Sequence, residues 1–134
     1  MKSLRYILFF MAMALAIGAD AKPIKTNQVH MFGFSASFKD SVIYVTDIQN
    51  VQGVWIDTKT KFLLARNEYS YQLKNFLAEK RQQPDRVCMI FFATSKKKAE
   101  KMYLKLIKKY KKGYDVRYIN VSEFKFEPVE IDQE

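Results

Sequence analysis

The hydrophobic period of this chain changes partway along it, and that change constrains the fold more than any other feature. From Val29 to Phe38 apolar side chains recur every second residue, with Phe32, Phe34, Ala36 and Phe38 on one side and Gly33, Ser35 and Ser37 on the other. Such alternation marks a strand with two distinct faces. Ser41 to Ile48 (SVIYVTDI) resumes a run of β-branched residues after the turn-forming pair Lys39-Asp40, so the two segments are expected to form a hairpin. Val51–Ile56 and Lys61–Ala65, around the polar turn Asp57 to Thr60, are expected as third and fourth strands of an antiparallel meander, with Gly53 marking a bulge. The period then becomes three to four: Tyr69, Leu73, Phe76, Leu77 and Lys80 share one helical face, Asn67 is placed to cap it, and Pro84 stands beyond its end. Arg86 to Thr94 (RVCMIFFAT) is a nearly unbroken apolar run, which predicts a central strand covered on both faces. Ala99, Met102, Tyr103, Leu106, Ile107 and Tyr110 then define a second amphipathic helix, with Thr94 or Ser95 as cap and Gly113 as terminator. Tyr114–Ile119 closes the series as a strand, so that strand, helix and strand should form a right-handed crossover.

In the order ββββαβαβ these elements predict an α+β fold: a mainly antiparallel sheet of five to six strands with two helices packed on one face, since each helix has a single apolar stripe to bury. The 134 residues suffice for one core. Residues 1–21 read as a signal peptide, with Lys2 and Arg5 before the uncharged run Tyr6 to Gly18 and Ala19-Asp20-Ala21 as the cleavage pattern. Residues 22–28 read as a polar lead, 29–121 as a single α+β domain and 122–134 as an acidic C-terminal tail with a short apolar anchor at Phe124 and Phe126. Export to a periplasmic or secreted location is the expectation that follows, with no membrane span left after cleavage. Removing Lys2, Arg5 and Asp20 with the signal lowers the net charge only from +9 to +8, a basic balance that permits anionic partners without requiring them.

One Cys and one His in the whole chain exclude an internal disulfide framework, thiolate zinc sites and the familiar His-dependent triads. Cys88 lies inside the apolar run and is expected to be a buried, inert thiol; His30 shares a strand face with Phe32 and Phe34 and is expected to be structural. Gly33-Phe34-Ser35-Ala36-Ser37 has the residue types of a nucleophile elbow but sits within a strand with no helix after it. Asp40, Asp47 and Asp57 fall at turns and strand ends, where Asp serves the backbone. The expectation is therefore no enzyme, no metal and no cofactor, against the alternative of a small carboxylate-based hydrolase, which would need two carboxyl groups about 5 to 9 Å apart in a cleft.

Two surfaces remain as candidates for binding. Between Lys96 and Lys112 the chain carries nine lysines and one Glu, and Lys97, Lys98, Lys101, Lys105, Lys108, Lys109 and Lys112 are the candidate anion-binding residues on the side of the helix away from its apolar stripe. Lipopolysaccharide or an acidic glycan fits such a face better than nucleic acid, because lysine lacks the planar fork for reading bases and no aromatics interleave as a stacking platform. The same face also serves simply as a solvated surface, and the acidic tail is a competing intramolecular partner. Tyr44, Trp55, Tyr69 and Tyr71 form the second candidate, an aromatic partner surface if they share an exposed sheet face; the competing reading places them in the core.

The segments VHMFGFSASFKDSVIYVTDIQ, WIDTKTKFLLARNEYSYQLKNFL and RVCMIFFATSKKKAEKMYLKLIKKY resemble small secreted proteins of unknown function from Bacteroides-like gut bacteria, over most of the chain after residue 21. That resemblance implies a periplasmic or extracellular setting and carries no site residues. The closing strand, helix and strand are also similar in topology to half of a SPOR-type peptidoglycan-binding domain. The function expected is an exported, non-enzymatic binding or interaction domain for an envelope protein or anionic polymer, its partner and oligomeric state open. A structural subunit of a larger envelope complex is a third possibility, which an exposed apolar patch would betray.

Overall fold

The computed structural model describes residues 22–131, and the expected signal peptide lies outside them. The strands are β1 (Pro23–Thr26), β2 (Val29–Ala36), β3 (Val42–Thr46), β4 (Gln49–Val51), β5 (Val54–Asp57), β6 (Val87–Ala93) and β7 (Asp115–Ile119); the helices are α1 (Arg66–Lys80) and α2 (Lys96–Tyr110). The class is α+β with mostly antiparallel pairing, as the periods predict. The polar lead is not a bare linker, because β1 pairs antiparallel with β5 as a separate two-stranded sheet.

β2 is the centre of the main sheet. Along one edge it pairs antiparallel with β6 over seven residue pairs, from His30 opposite Ala93 to Ala36 opposite Val87. Along the other it pairs with β3 (Phe34 opposite Val45) and then with β4 (Met31 opposite Gln49). Those two registers differ by one residue, so β3 and β4 form one line of chain with Asp47 and Ile48 both facing Phe32: a β-bulge. The ladder is repaired at that point by a side chain, since the Gly33 amide donates to the buried Thr46 Oγ1 at 2.8 Å. β7 pairs parallel with β3 on its far side. Val51–Ile56 is thus two strands turned at Gly53, whose φ of 78° only glycine adopts freely, and Lys61–Ala65 is no strand but a turn with one bridge between Ile56 and Leu63.

The helices lie on opposite faces of the sheet, not on one. Tyr69, Leu73 and Leu77 of α1 pack with Met31, Tyr44, Ile90 and Ile119, whereas Met102, Tyr103, Leu106, Ile107 and Tyr110 of α2 pack with Phe32, Phe34, Ile43 and Val45. Met31 and Phe32 are consecutive residues of β2, and consecutive side chains leave a strand on opposite sides. This arrangement also explains why Arg86–Thr94 looks central in sequence yet lies at the edge. A strand sandwiched between two helices is apolar on both faces wherever it sits, and β6 sends Cys88, Ile90 and Phe92 to the α1 side and Phe91 to the α2 side, leaving Val87 and Met89 about half exposed. β6 and β7 are therefore not neighbours, and α2 crosses β2 and β3 to connect them.

The acidic tail does have its apolar anchor. Phe124 and Phe126 are buried in the α1-side core, edge-to-face with each other at 4.8 Å between centroids. Two glutamine amides lace the segment down: Gln49 donates to the Phe124 carbonyl and accepts from the Phe126 amide, each at 2.9 Å, and Gln72 does the same for both backbone groups of Glu127. The domain accordingly runs past residue 121, and the tail is part of its core.

The two helices begin differently. Ser95 caps α2 by accepting from the Lys98 amide. Asn67 does not cap α1, which starts one residue earlier after Ala65 in the left-handed region at φ 59°. The Arg66 guanidinium anchors that start by donating to the Ile90 carbonyl and lying over the Phe92 ring.

Candidate functional site

The lysine face is formed as the helical spacing requires. Every lysine of α2 and of the turn after it, Lys96 to Lys112, is exposed, because the i, i+3, i+4 positions that face the sheet are held by Ala99, Met102, Tyr103, Leu106, Ile107 and Tyr110. None of these lysines is ion-paired with a carboxylate among the described residues; Lys109 lies over the Tyr110 ring at 5.3 Å. Among the described residues the acidic tail does not supply the expected competition: Glu123 pairs with Arg81 and Glu130 with Lys25, both on the α1 side, and the sheet separates them from α2. Beneath the face, Phe91, Met102 and Leu106 floor a shallow groove of about 260 Å³ walled by Lys105 and Lys109. An apolar strip bordered by two ammonium groups can accept an amphipathic anion.

The aromatic surface is not assembled. Tyr44 and Tyr69 are core residues, 3% and 0% exposed. Tyr69 accepts at its hydroxyl from the Val129 amide at 3.0 Å, and burial raises its pKa. Trp55 lies on the small β1–β5 sheet, where its indole N–H donates to Glu130 and Lys25 sits over its ring at 5.9 Å. Tyr71 alone of the four is well exposed, on α1. Strand alternation gave Tyr44 a face but could not say that α1 and the tail cover that face.

The carboxylates serve the backbone. Asp40 accepts from the Val42 amide, and that bond, aided by Arg86, lowers its pKa; Asp57 is lowered by the Thr60 and Lys59 amides of its turn. Asp47 at the bulge accepts from the Val121 amide. An open groove of about 480 Å³ runs beside the bulge between Asp47–Val51 and the tail. Gln49, its most buried polar residue, already has both ends of its amide engaged. No three His, Cys, Asp or Glu side chains gather as a metal set among the described residues. His30 is half-buried on β2 opposite Asn50 and Ala93. Cys88 is half-buried and free; burial pushes its thiol pKa up, and its Sγ–H points to Ser35 Oγ at 3.6 Å.

Sequence reasoning missed two residues. Arg86 opens the apolar run Arg86–Thr94, which assigns it no role of its own, yet it is a charged residue only 3% exposed. It donates to Ser35, Asp40 and the Val42 carbonyl, and it stacks on the Tyr44 ring at 4.8 Å. Each of its three guanidinium nitrogens is thus engaged, which makes it a lock between hairpin and β6. Phe38 continues the spacing of Phe32, Phe34 and Ala36 in sequence, but β2 ends at Ala36 and Phe38 is fully exposed. Comparison of the chain with known protein families, with curated proteins and with solved structures finds no match.

Proposed function

We propose that this protein is an exported, non-enzymatic binding domain that holds anionic polymer or an anionic envelope surface through the lysine face of α2. The observation that carries the reading is the segregation of charge: nine lysines and a single Glu within 17 residues stand in solvent on one side of the sheet, while Glu123 and Glu130 of the tail are engaged on the other. With Glu100 as the single carboxylate among those nine lysines, the face keeps a large net positive charge. Ammonium groups on flexible stems supply attraction without fixed geometry, so binding should be driven mostly by counterion release and fade steeply with salt. Export rests on the charge and length pattern of residues 1–21, and the resemblance to small secreted proteins supports the same setting.

Retention of the chain from Lys22 on immobilised heparin and on lipopolysaccharide at low salt tests this reading. Wild type should be retained and should elute as salt rises, and replacing Lys101, Lys105 and Lys108 together by Glu should abolish retention with an unchanged thermal unfolding curve. A wild type that flows through at low salt, or a triple variant that binds as well as wild type, would sink it.

A further inference from the structure

Phe38 is 100% exposed at the tip of the β2–β3 hairpin, and it is not alone at that end of the sheet. β6 begins there with Val87 opposite Ala36, and Val87 and Met89 are 49% and 47% exposed. The turn after α2 reaches the same end, since Asp115 pairs with Val42 and donates its amide to the Ser41 carbonyl at 2.9 Å, which brings the half-exposed Tyr114 alongside. That turn and the last turn of α2 carry Lys108, Lys109, Lys111 and Lys112. The acids at this end are already matched, Asp40 by Arg86, Asp85 by Lys39 and Asp115 by Arg117. The helix lysines are thus a surplus of positive charge beside a cluster of exposed apolar side chains.

We propose that this end docks on the surface of an anionic lipid bilayer, with Phe38 entering the boundary between headgroups and acyl chains while the lysines at the end of α2 meet the lipid phosphates. The proposal rests on the reading that the lysine face is the binding surface, and it names the partner. Charge complementarity selects an anionic partner, and the side-chain types select a fluid one. Protein interfaces are depleted in Lys and favour Arg, whose geometry is fixed, whereas a bilayer needs no matching pocket and is met by long flexible cations around a protruding aromatic. Phe38 has no wall of its own fold beside it, as an inserting side chain requires.

Co-sedimentation of the chain from Lys22, which holds every described element, with vesicles of phosphatidylcholine alone and of equal parts phosphatidylcholine and phosphatidylglycerol provides the test. Binding should be confined to the anionic vesicles. Phe38→Ala should weaken it about tenfold or more, as expected for losing a buried phenyl ring, and Lys108→Glu with Lys109→Glu should weaken it further. In a Trp55→Phe background, Phe38→Trp should show blue-shifted emission on the anionic vesicles. Undiminished binding by Phe38→Ala together with an unshifted Phe38→Trp spectrum would overturn the docking, as would a Phe38→Ala change in oligomeric state, which would assign the patch to a second copy of the chain. Heparin retention with no vesicle binding would overturn the docking and leave the polyanion reading standing; loss of both would remove the two together.

Discussion

The two faces of the main sheet are built from the same strands and finished in opposite ways. On the α1 face, Tyr69, Leu73 and Leu77 are fully buried, and the β1–β5 sheet and the tail close over them with Val54, Ile56, Leu63, Phe124 and Phe126. On the α2 face the strand residues Phe32, Phe34, Ile43 and Val45 are buried, but every apolar residue of α2 except Ala99 is only half-buried or less, and no second layer covers the helix among the described residues. Phe32 meets Phe91 stacked at 5.2 Å and Tyr103 edge-on at 5.2 Å, so the contact is specific even where it is thin. The α1 face is closed by a second layer of chain, whereas the α2 face presents a charged helix on a narrow apolar footing.

The largest expected effect breaks this comparison if it is wrong. Leu73→Ala should cost about 2 to 5 kcal/mol in urea unfolding, the range for emptying a buried leucine site, whereas Leu106→Ala should cost about 1 kcal/mol because that side chain keeps part of its water contact in the fold. Equal losses would mean that both faces hold the core.

Gly33 sharpens the same contrast, since a Cβ there would come within 2.5 Å of Leu73 Cδ2 and 3.3 Å of the Phe126 ring. Leu73 has no solvent to retreat into, so Gly33→Ala should destabilise by about 1 to 3 kcal/mol, the cost of overpacking. A neutral result in thermal melting would show the α1 face to be looser than its burial implies.

Removing the lace tests whether the tail belongs to the α1 face energetically as well as spatially. Gln49→Ala leaves the Phe124 carbonyl and the Phe126 amide without their partners and should cost about 1 to 3 kcal/mol. Protection of the Phe126 amide from hydrogen exchange should fall while that of α2 amides stays unchanged.

Acid should loosen the same side first, by the smallest increment. Asp57 and Glu130 have lowered pKa values in the fold, Asp57 through its turn amides and Glu130 through its bonds with Lys25 and Trp55. A carboxylate with a depressed folded pKa contributes its full stabilisation above its unfolded value of about 4 and loses it as pH falls through the folded value. Hydrogen-exchange protection, taken relative to the unfolded chain at each pH from 6 down to about 3, should therefore fall in β1, β5 and the tail before it falls in α2. Simultaneous opening of both faces would show that these carboxylates do not discriminate between them.

Much of this was legible in the chain itself, because a hydrophobic period reports local geometry. The alternation through Phe32 and Phe34, the stripe from Ala99 to Tyr110, the Ser95 cap and the solvent side of the lysines all follow from how a residue's neighbours three or two positions away are oriented, and the structure has each of them. What tertiary structure alone decided is which surface covers which. Alternation says that Met31 and Phe32 face apart, but not that α1 takes one side and α2 the other; an apolar run says that β6 is covered, but not that it lies at an edge. The burial of Tyr44 and Arg86, the bulge at Asp47-Ile48 and the seating of the tail by Gln49 and Gln72 depend on partners 40 to 80 residues distant in some cases, such as Arg86 with Ser35 and Gln49 with Phe124. No local pattern records such pairings, because their free energy arises only when both ends of the chain have already been brought together.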